Sequence, residues 1–281
     1  MQSQLMEIVC EIRSLEPFPK IATRVLELAS KPQAVPGELI GVIQMDPGLT
    51  SKVLRLCNSA YYGFQRQIAS LDEAGNLLGV TTLVNLVLTS SASRYFRDYG
   101  ASTVGSQSDL WTRSVTNALA SRIIADHNGV VDPERAYTAG LLQNIGSLVL
   151  DRFVHNGRQQ VLAVAHAGYS LIDAEKHALG LHHAEIGARL ATRWGLPEVL
   201  TDTIRFHHAP EKASVDPLLT ATVHLAETVA TARVAGDNMP GFAYEVHDAA
   251  LQLTGMDPAD FDAVDKGLQS ELELAQALFE L

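Results

Sequence analysis

The sequence predicts an all-α protein, a bundle of two packed lobes with about 12 to 14 helices of ordinary length. Apolar residues recur at spacings of three and four nearly throughout: Ile21, Val25, Leu26 and Leu28; Val53, Leu54 and Leu56; Leu83, Leu86 and Val87; Leu119, Ile123 and Ile124; Leu141, Leu142, Ile145 and Leu148. No segment alternates apolar and polar residues as a half-buried strand would. Asp-Pro occurs at Asp46-Pro47, Asp132-Pro133, Asp216-Pro217 and Asp257-Pro258, each before a periodic stretch. The Asp accepts from free amides of the first turn, and Pro takes the first helical position, where its missing N–H costs nothing. Four helix starts are marked in this way.

Further starts are expected at Ser70, Ser108, Ser170 and near Pro197, and stops at Gly63, Gly79, Gly129, Gly157, Gly168, Gly195 and Gly236. The small, polar stretch from Gly100 to Ser108 reads as a linker, which divides an N-terminal lobe (1–100) from a second lobe (101–235). A second break at 236–243 precedes a C-terminal segment (236–281) whose helices are expected to pack back on the body. A chain of 281 residues, 47% hydrophobic, has enough apolar mass for two such lobes.

A net charge of −11 argues against holding nucleic acid through the global field, because duplex binding needs Lys and Arg to neutralise phosphates. Direct nucleic-acid binding is therefore not expected. Cys10 and Cys57 lack C-x-x-C spacing, so neither a disulfide framework nor a zinc ribbon is indicated, and both read as small core hydrophobes. There is no basic leader before an apolar run, and no stretch approaches the roughly 20 apolar residues of a membrane helix, so a cytoplasmic protein is expected. P-loop, dinucleotide, G-x-S-x-G and H-E-x-x-H patterns are absent.

The chemistry-bearing motifs are ordered. Trp111-Thr112-Arg113-Ser114 comes first, then Tyr137-Thr-Ala-Gly-Leu-Leu-Gln143-Asn144-Ile-Gly-Ser-Leu-Val-Leu150, then His182-His183-Ala-Glu-Ile-Gly187, Trp194-Gly-Leu-Pro197 and His207-His208. Upstream, Asp46-Pro-Gly-Leu-Thr50, Leu54-Arg-Leu-Cys-Asn58-Ser-Ala-Tyr61-Tyr62-Gly63 and Ile68-Ala-Ser-Leu-Asp-Glu-Ala74 form a second series. In this order the chain resembles the HD superfamily and, more narrowly, its HDOD branch, the HD-related output domains of bacterial signalling proteins. Glu16, where the family more often has proline, is a minor departure.

HD enzymes hold one or two divalent ions through histidines and an Asp, so that bound water loses a proton near neutral pH and attacks a phosphoester. The resemblance places the first histidine on Arg113, the His-Asp pair on Gln143-Asn144, later histidines on His183 and His207-His208, and the final carboxylate on Glu227. Neutral amides are weak ligands for transition metals and cannot replace a bridging carboxylate. An inward Arg113 about 5 Å from a divalent ion would repel it by about 7 kcal/mol at an effective dielectric of 20. Arg113 is expected either to stand in as the local cation, donating to Glu227 or to the Gln143 and Asn144 carbonyls, or to lie on a solvated helix face. No metal or other cofactor is expected. His183, His207, His208 and Glu227 remain as remnant candidates should a divalent transition metal bind, although adjacent helical histidines about 100° apart need not face one centre.

Asn58 reads as a capping group and Tyr61-Tyr62 as a wedge between core and surface. The other reading makes Asn58, Tyr61 and Tyr62 a corner that touches a partner. The resemblance implies a non-catalytic output domain of bacterial signal transduction, such as the output region of a two-component response regulator, with other signalling proteins or domains as partners. The alternative is a metal-dependent phosphohydrolase or phosphodiesterase with an altered ligand set.

Overall fold

The computed structural model describes residues 8, 10, 12–31, 34–99, 107–153, 157–166, 169–235 and 246–279. They are helical, with no strand among them. First along the chain come α1 (Lys20–Ala29), α2 (Pro36–Gln44), α3 (Pro47–Cys57), α4 (Leu71–Leu78) and α5 (Val80–Tyr99). Next come α6 (Gln107–Asn128), α7 (Pro133–Leu142), α8 (Ser147–Phe153), α9 (Gly157–His166), α10 (Leu171–Leu179), α11 (His183–Arg193), α12 (Glu198–Phe206), a 3-10 turn (Pro210–Lys212) and α13 (Pro217–Ala235). Then come α14 (Asp248–Thr254), α15 (Asp260–Leu274) and α16 (Gln276–Phe279). Helices outnumber the expectation because pieces such as α8, α14 and α16 are too short to show a 3.6-residue period.

Local chemistry sets most starts. Asp46, Asp132 and Asp216 accept from the backbone N–H of Leu49, Arg135 and Leu219 at 3.0, 2.8 and 3.0 Å. Ser70 and Ser170 cap α4 and α10 through Glu73 and Asp173. At Ser70 the Glu73 carboxylate also accepts from the Ala69 amide. Asp257-Pro258 departs from the expectation. Asp257 organises a turn by accepting from the Ala259 N–H, and α15 begins at Asp260. Gly79 and Gly129 end helices with φ of 84° and 67°, where a side chain would be strained. Gly157 opens α9 instead of closing a helix, since glycine is tolerated at either end. The expected stops at Gly168 and Gly236, most of the 100–108 linker and the 236–243 break lie outside the described residues. Asp216→Ala should lower stability by about 1 kcal/mol in a urea melt, with most of the loss restored by Asp216→Asn, which keeps the accepting oxygen.

One continuous core runs from Ile8 to Leu278. Within it α6 packs most extensively on α7 and α13, and α15 lies against α6. Gly140 makes the α6–α7 crossing possible, for a Cβ there would stand 2.6 Å from the Asn117 carbonyl oxygen. Three further ties cross the chain. Trp194 stacks on Phe18 (5.4 Å between centroids) and meets Tyr95 edge-on (4.9 Å), while Arg193 donates to the Ile12 and Leu15 carbonyls. Trp111 Nε1 donates to the Leu278 carbonyl at 3.0 Å. Arg122 of α6 donates to Glu271 of α15 at 2.6 Å and to the Tyr61 hydroxyl, and its guanidinium lies over the Tyr61 ring.

Cys57 is buried and its thiol is pushed up to about 11 by that burial. Cys10 is exposed, contrary to the expectation of a core residue; the apolar neighbours that prompted it, Ile8 and Ile12, occupy the buried face of that segment. Among the described residues no single helix is long and apolar enough to cross a membrane.

Candidate functional site

Four segments between residues 143 and 227 converge on one buried point. Gln143 and Asn144 follow α7, His183 is the first residue of α11, His207 and His208 follow α12, and Glu227 lies in the middle of α13. Glycines set how closely these segments approach. A Cβ at Gly146 would overlap the His183 carbonyl oxygen and lie 2.5 Å from the Gly187 amide nitrogen. The turn carrying Gln143-Asn144 is thereby pressed, backbone to backbone, against the start of α11.

Glu227 is 1% exposed. Its Oε1 accepts from Asn144 Nδ2 at 2.9 Å, and its Oε2 lies 3.6 Å from both His207 Nε2 and His208 Nε2. His183 Nδ1 lies 2.9 Å from Glu175 Oε2, which also accepts from the His183 backbone N–H at 2.8 Å. His183 Nε2 stands 2.9 Å from His208 Nε2. Behind this group, His207 Nδ1 donates to the Ile204 carbonyl and His224 Nδ1 to the His207 carbonyl, each at 2.8 Å.

His207 and His208 therefore share one centre. The geometric objection to this fails because α12 ends at Phe206, so the pair sits in a turn and not on successive positions of a helix.

Electrostatics divide these groups. Burial drives the pKa of His207 and His208 well below the ordinary value, reinforced by neighbouring imidazoles, which keeps both rings neutral at physiological pH. Burial also opposes charge on His183, but Glu175, through its charge and its hydrogen bond, and Glu227 outweigh it and raise the pKa. The Glu227 carboxyl is raised by burial, against the opposing effects of His183, Asn144 and Arg113.

Arg113, half-buried on α6, acts on Glu227 and His183 through space. It does not donate to the Gln143 or Asn144 carbonyl oxygens, both of which are buried without a hydrogen-bond partner. Its charge is felt by Glu227 and His183.

The dinuclear centre implied by resemblance to HD enzymes does not fit these residues. Where that centre needs a His-Asp pair, the Gln143 amide has both polar atoms unpaired, and Asn144 turns its NH2 toward the carboxylate. An amide in that orientation donates to Glu227 and offers an ion no negative charge.

Glu175 and His224 were not marked by the sequence. Glu175 reaches His183 only because Gly180, at φ 83°, turns the chain back after α10. His224 had no ligand spacing.

Asn58, Tyr61 and Tyr62 lie elsewhere, in the loop that follows α3. Asn58 closes the loop after α3 by donating to the Leu54 and Ile68 carbonyls and accepting from the Ile68 N–H. Tyr61 donates to Glu271 at 2.8 Å, and Tyr62 packs edge-on against it, 5.0 Å between centroids. The side-chain polar groups of Asn58 and Tyr61 make contacts within the chain.

A family model, the HDOD domain, matches residues 15–210. The chain belongs to the HDOD family. An uncharacterized protein of Treponema pallidum is 28% identical over 226 residues, a match that covers 75% of this HDOD chain and 42% of that protein. The chain thus spans less than half the length of this relative. An HDOD domain protein of unknown function from Geobacter sulfurreducens superposes with a TM-score of 0.71 at 25% identity, covering 99% of this chain and 96% of that one. A candidate signal transduction protein from Marinobacter aquaeolei gives 0.75 at 24% identity, covering 94% of this chain and 60% of that one, and shows the shared fold.

Proposed function

We propose that this HDOD chain is a non-catalytic output module of bacterial signalling, which works by binding other signalling proteins or domains, as the output region of a two-component response regulator would. The observation that carries this reading is the Asn144–Glu227 hydrogen bond of 2.9 Å. A phosphohydrolase needs anionic ligands there to assemble its ions and sharpen a water, and an amide donating to the last carboxylate serves the opposite purpose. The unpaired Gln143 amide and the field of Arg113 add to it. The greater length of the T. pallidum relative supports a module that operates beside further domains. The net charge of −11 favours protein partners over nucleic acid.

The competing reading is hydrolysis with an altered ligand set. Purified protein supplied with manganese, iron or zinc should show no turnover of cyclic dinucleotides, nucleotides or generic phosphodiesters. Turnover that disappears on His183→Ala would overturn the output reading.

A further inference from the structure

Helices α1, α5, α7, α12 and α13 enclose a cavity of about 140 Å³ that opens to solvent and that neither the histidines nor Glu227 line. Its walls are largely apolar, from Leu26, Val84, Pro197, Val199, Leu200 and Leu219. An apolar cavity of about 150 Å³ takes up a benzene-sized molecule. The space therefore suits one ring or a short branched chain.

The polar part of the lining has a definite sign. Asn85 and Thr138 are 4% and 7% exposed. Asn85 Nδ2 donates to the Glu134 backbone carbonyl at 3.0 Å and to Glu134 Oε2 at 2.7 Å, which uses both amide protons. The Thr138 hydroxyl donates to Asn85 Oδ1, and the Ser30 hydroxyl donates to the Leu26 carbonyl at 2.8 Å. Arg135, the cation of the lining, donates to Asp216 Oδ2 at 2.9 Å, so its charge is matched. The amide and hydroxyl protons of Asn85, Thr138 and Ser30 are thus committed within the protein. Lone pairs remain, and Glu134 Oε1 accepts no hydrogen bond among the described residues.

We propose that this cavity is a binding site for a small primary amine with a compact apolar body, whose ammonium group donates to Glu134 while its ring or branched chain fills the space between α1, α5 and α12. A carboxylate with an open oxygen beside an apolar cavity is matched by a donor that carries positive charge. A carboxylic acid or phosphate of the same size would face that carboxylate and find no uncommitted proton on Asn85, Thr138 or Ser30. A hydrocarbon would cover Oε1 and leave it unpaired, which costs free energy.

The occupant would touch α1 and α5 on one side and residues of α7, α12 and α13 on the other. It would therefore give the module a chemical input, which goes beyond the output reading.

The test titrates the full chain with benzylamine, using toluene and benzoate as uncharged and anionic molecules of similar size, and reads binding by calorimetry and by the methyl NMR signals of Val84, Val199 and Leu200. Benzylamine should saturate one site, shift those signals and bind about tenfold or more tightly than either control. Glu134→Gln keeps an oxygen for Asn85 and removes the charge. It should weaken benzylamine about tenfold and leave toluene within about twofold. Ala29→Leu, verified as folded by circular dichroism, should abolish binding of both by occupying the cavity from α1. Absence of saturable binding, benzoate binding as tightly as benzylamine, or benzylamine affinity that survives both variants overturns the inference. Each of those results leaves the output reading intact, whereas phosphodiester turnover by the metal-supplied chain would end that reading and leave the amine site standing.

Discussion

Gly146→Ala should destabilise the protein by about 4 kcal/mol or more, enough to deplete the soluble folded form, because the added methyl has no space. Its Cβ would meet two backbone groups, the His183 carbonyl and, at 2.5 Å, the Gly187 amide nitrogen. A flexible side chain can rotate away from such a contact, but backbone at the start of a helix moves only with the helix. Relieving the overlap means separating the turn at 143–146 from α11, which also draws Asn144 and His183 apart. Gly187→Ala is the matched control. Its Cβ would lie 2.8 Å from the Ile204 Cγ2 methyl and 3.2 Å from the Gly146 nitrogen, so side-chain adjustment absorbs part of the strain and the expected loss is about 1 to 3 kcal/mol. Urea melts that place Gly146→Ala within 1 kcal/mol of the parent would show that the two segments do not pass backbone to backbone.

Trp194→Ala should cost about 3 to 5 kcal/mol, the range for removing a large aromatic from a packed core. Trp194 is 6% exposed, with Phe18 on one face and Tyr95 at its edge. Tyr95 in turn donates to the Glu16 carbonyl at 2.8 Å, so the indole anchors the segment leading into α1 from beneath. Loss of the ring should therefore expose that segment to protease before the rest of the chain. Trp194→Phe should be much milder, about 1 kcal/mol, because the indole Nε1 has no partner and its removal breaks no hydrogen bond. Limited proteolysis that attacks both variants and the parent at the same rate would rule out the anchoring role.

The fold was legible where sequence signals are local. Asp46, Asp132 and Asp216 sit at helix starts because a carboxylate before proline is a complete cap within four residues. The same signal misled at Asp257, where Asp260, three residues on, accepts from the Asp257 N–H at 2.8 Å and diverts the motif into a turn. Of the site, His183, His207, His208 and Glu227 were legible through resemblance, and their convergence was not, since it depends on α12 ending one residue before His207. Glu175 could not be read, because a carboxylate eight residues before a histidine approaches it only when the chain reverses between them. Gly140, Gly146 and Gly187 offered a signal that went unused. Glycine within a helical pattern costs about 1 kcal/mol relative to alanine, so its presence there marks a close approach of neighbouring backbone.

The HDOD signature and the unit that folds have different limits. Within residues 15–210 begin three contacts that close outside them: Asn144 with Glu227, Arg122 with Glu271, and the Trp111 indole with the Leu278 carbonyl. A fragment trimmed to the signature would carry a shielded guanidinium without its counter-charge, an indole N–H without an acceptor, and a histidine cluster without its carboxylate. Architectural engineers working with this family should accordingly place fusion junctions beyond α16, and treat the C-terminal helices as part of the domain's own interior.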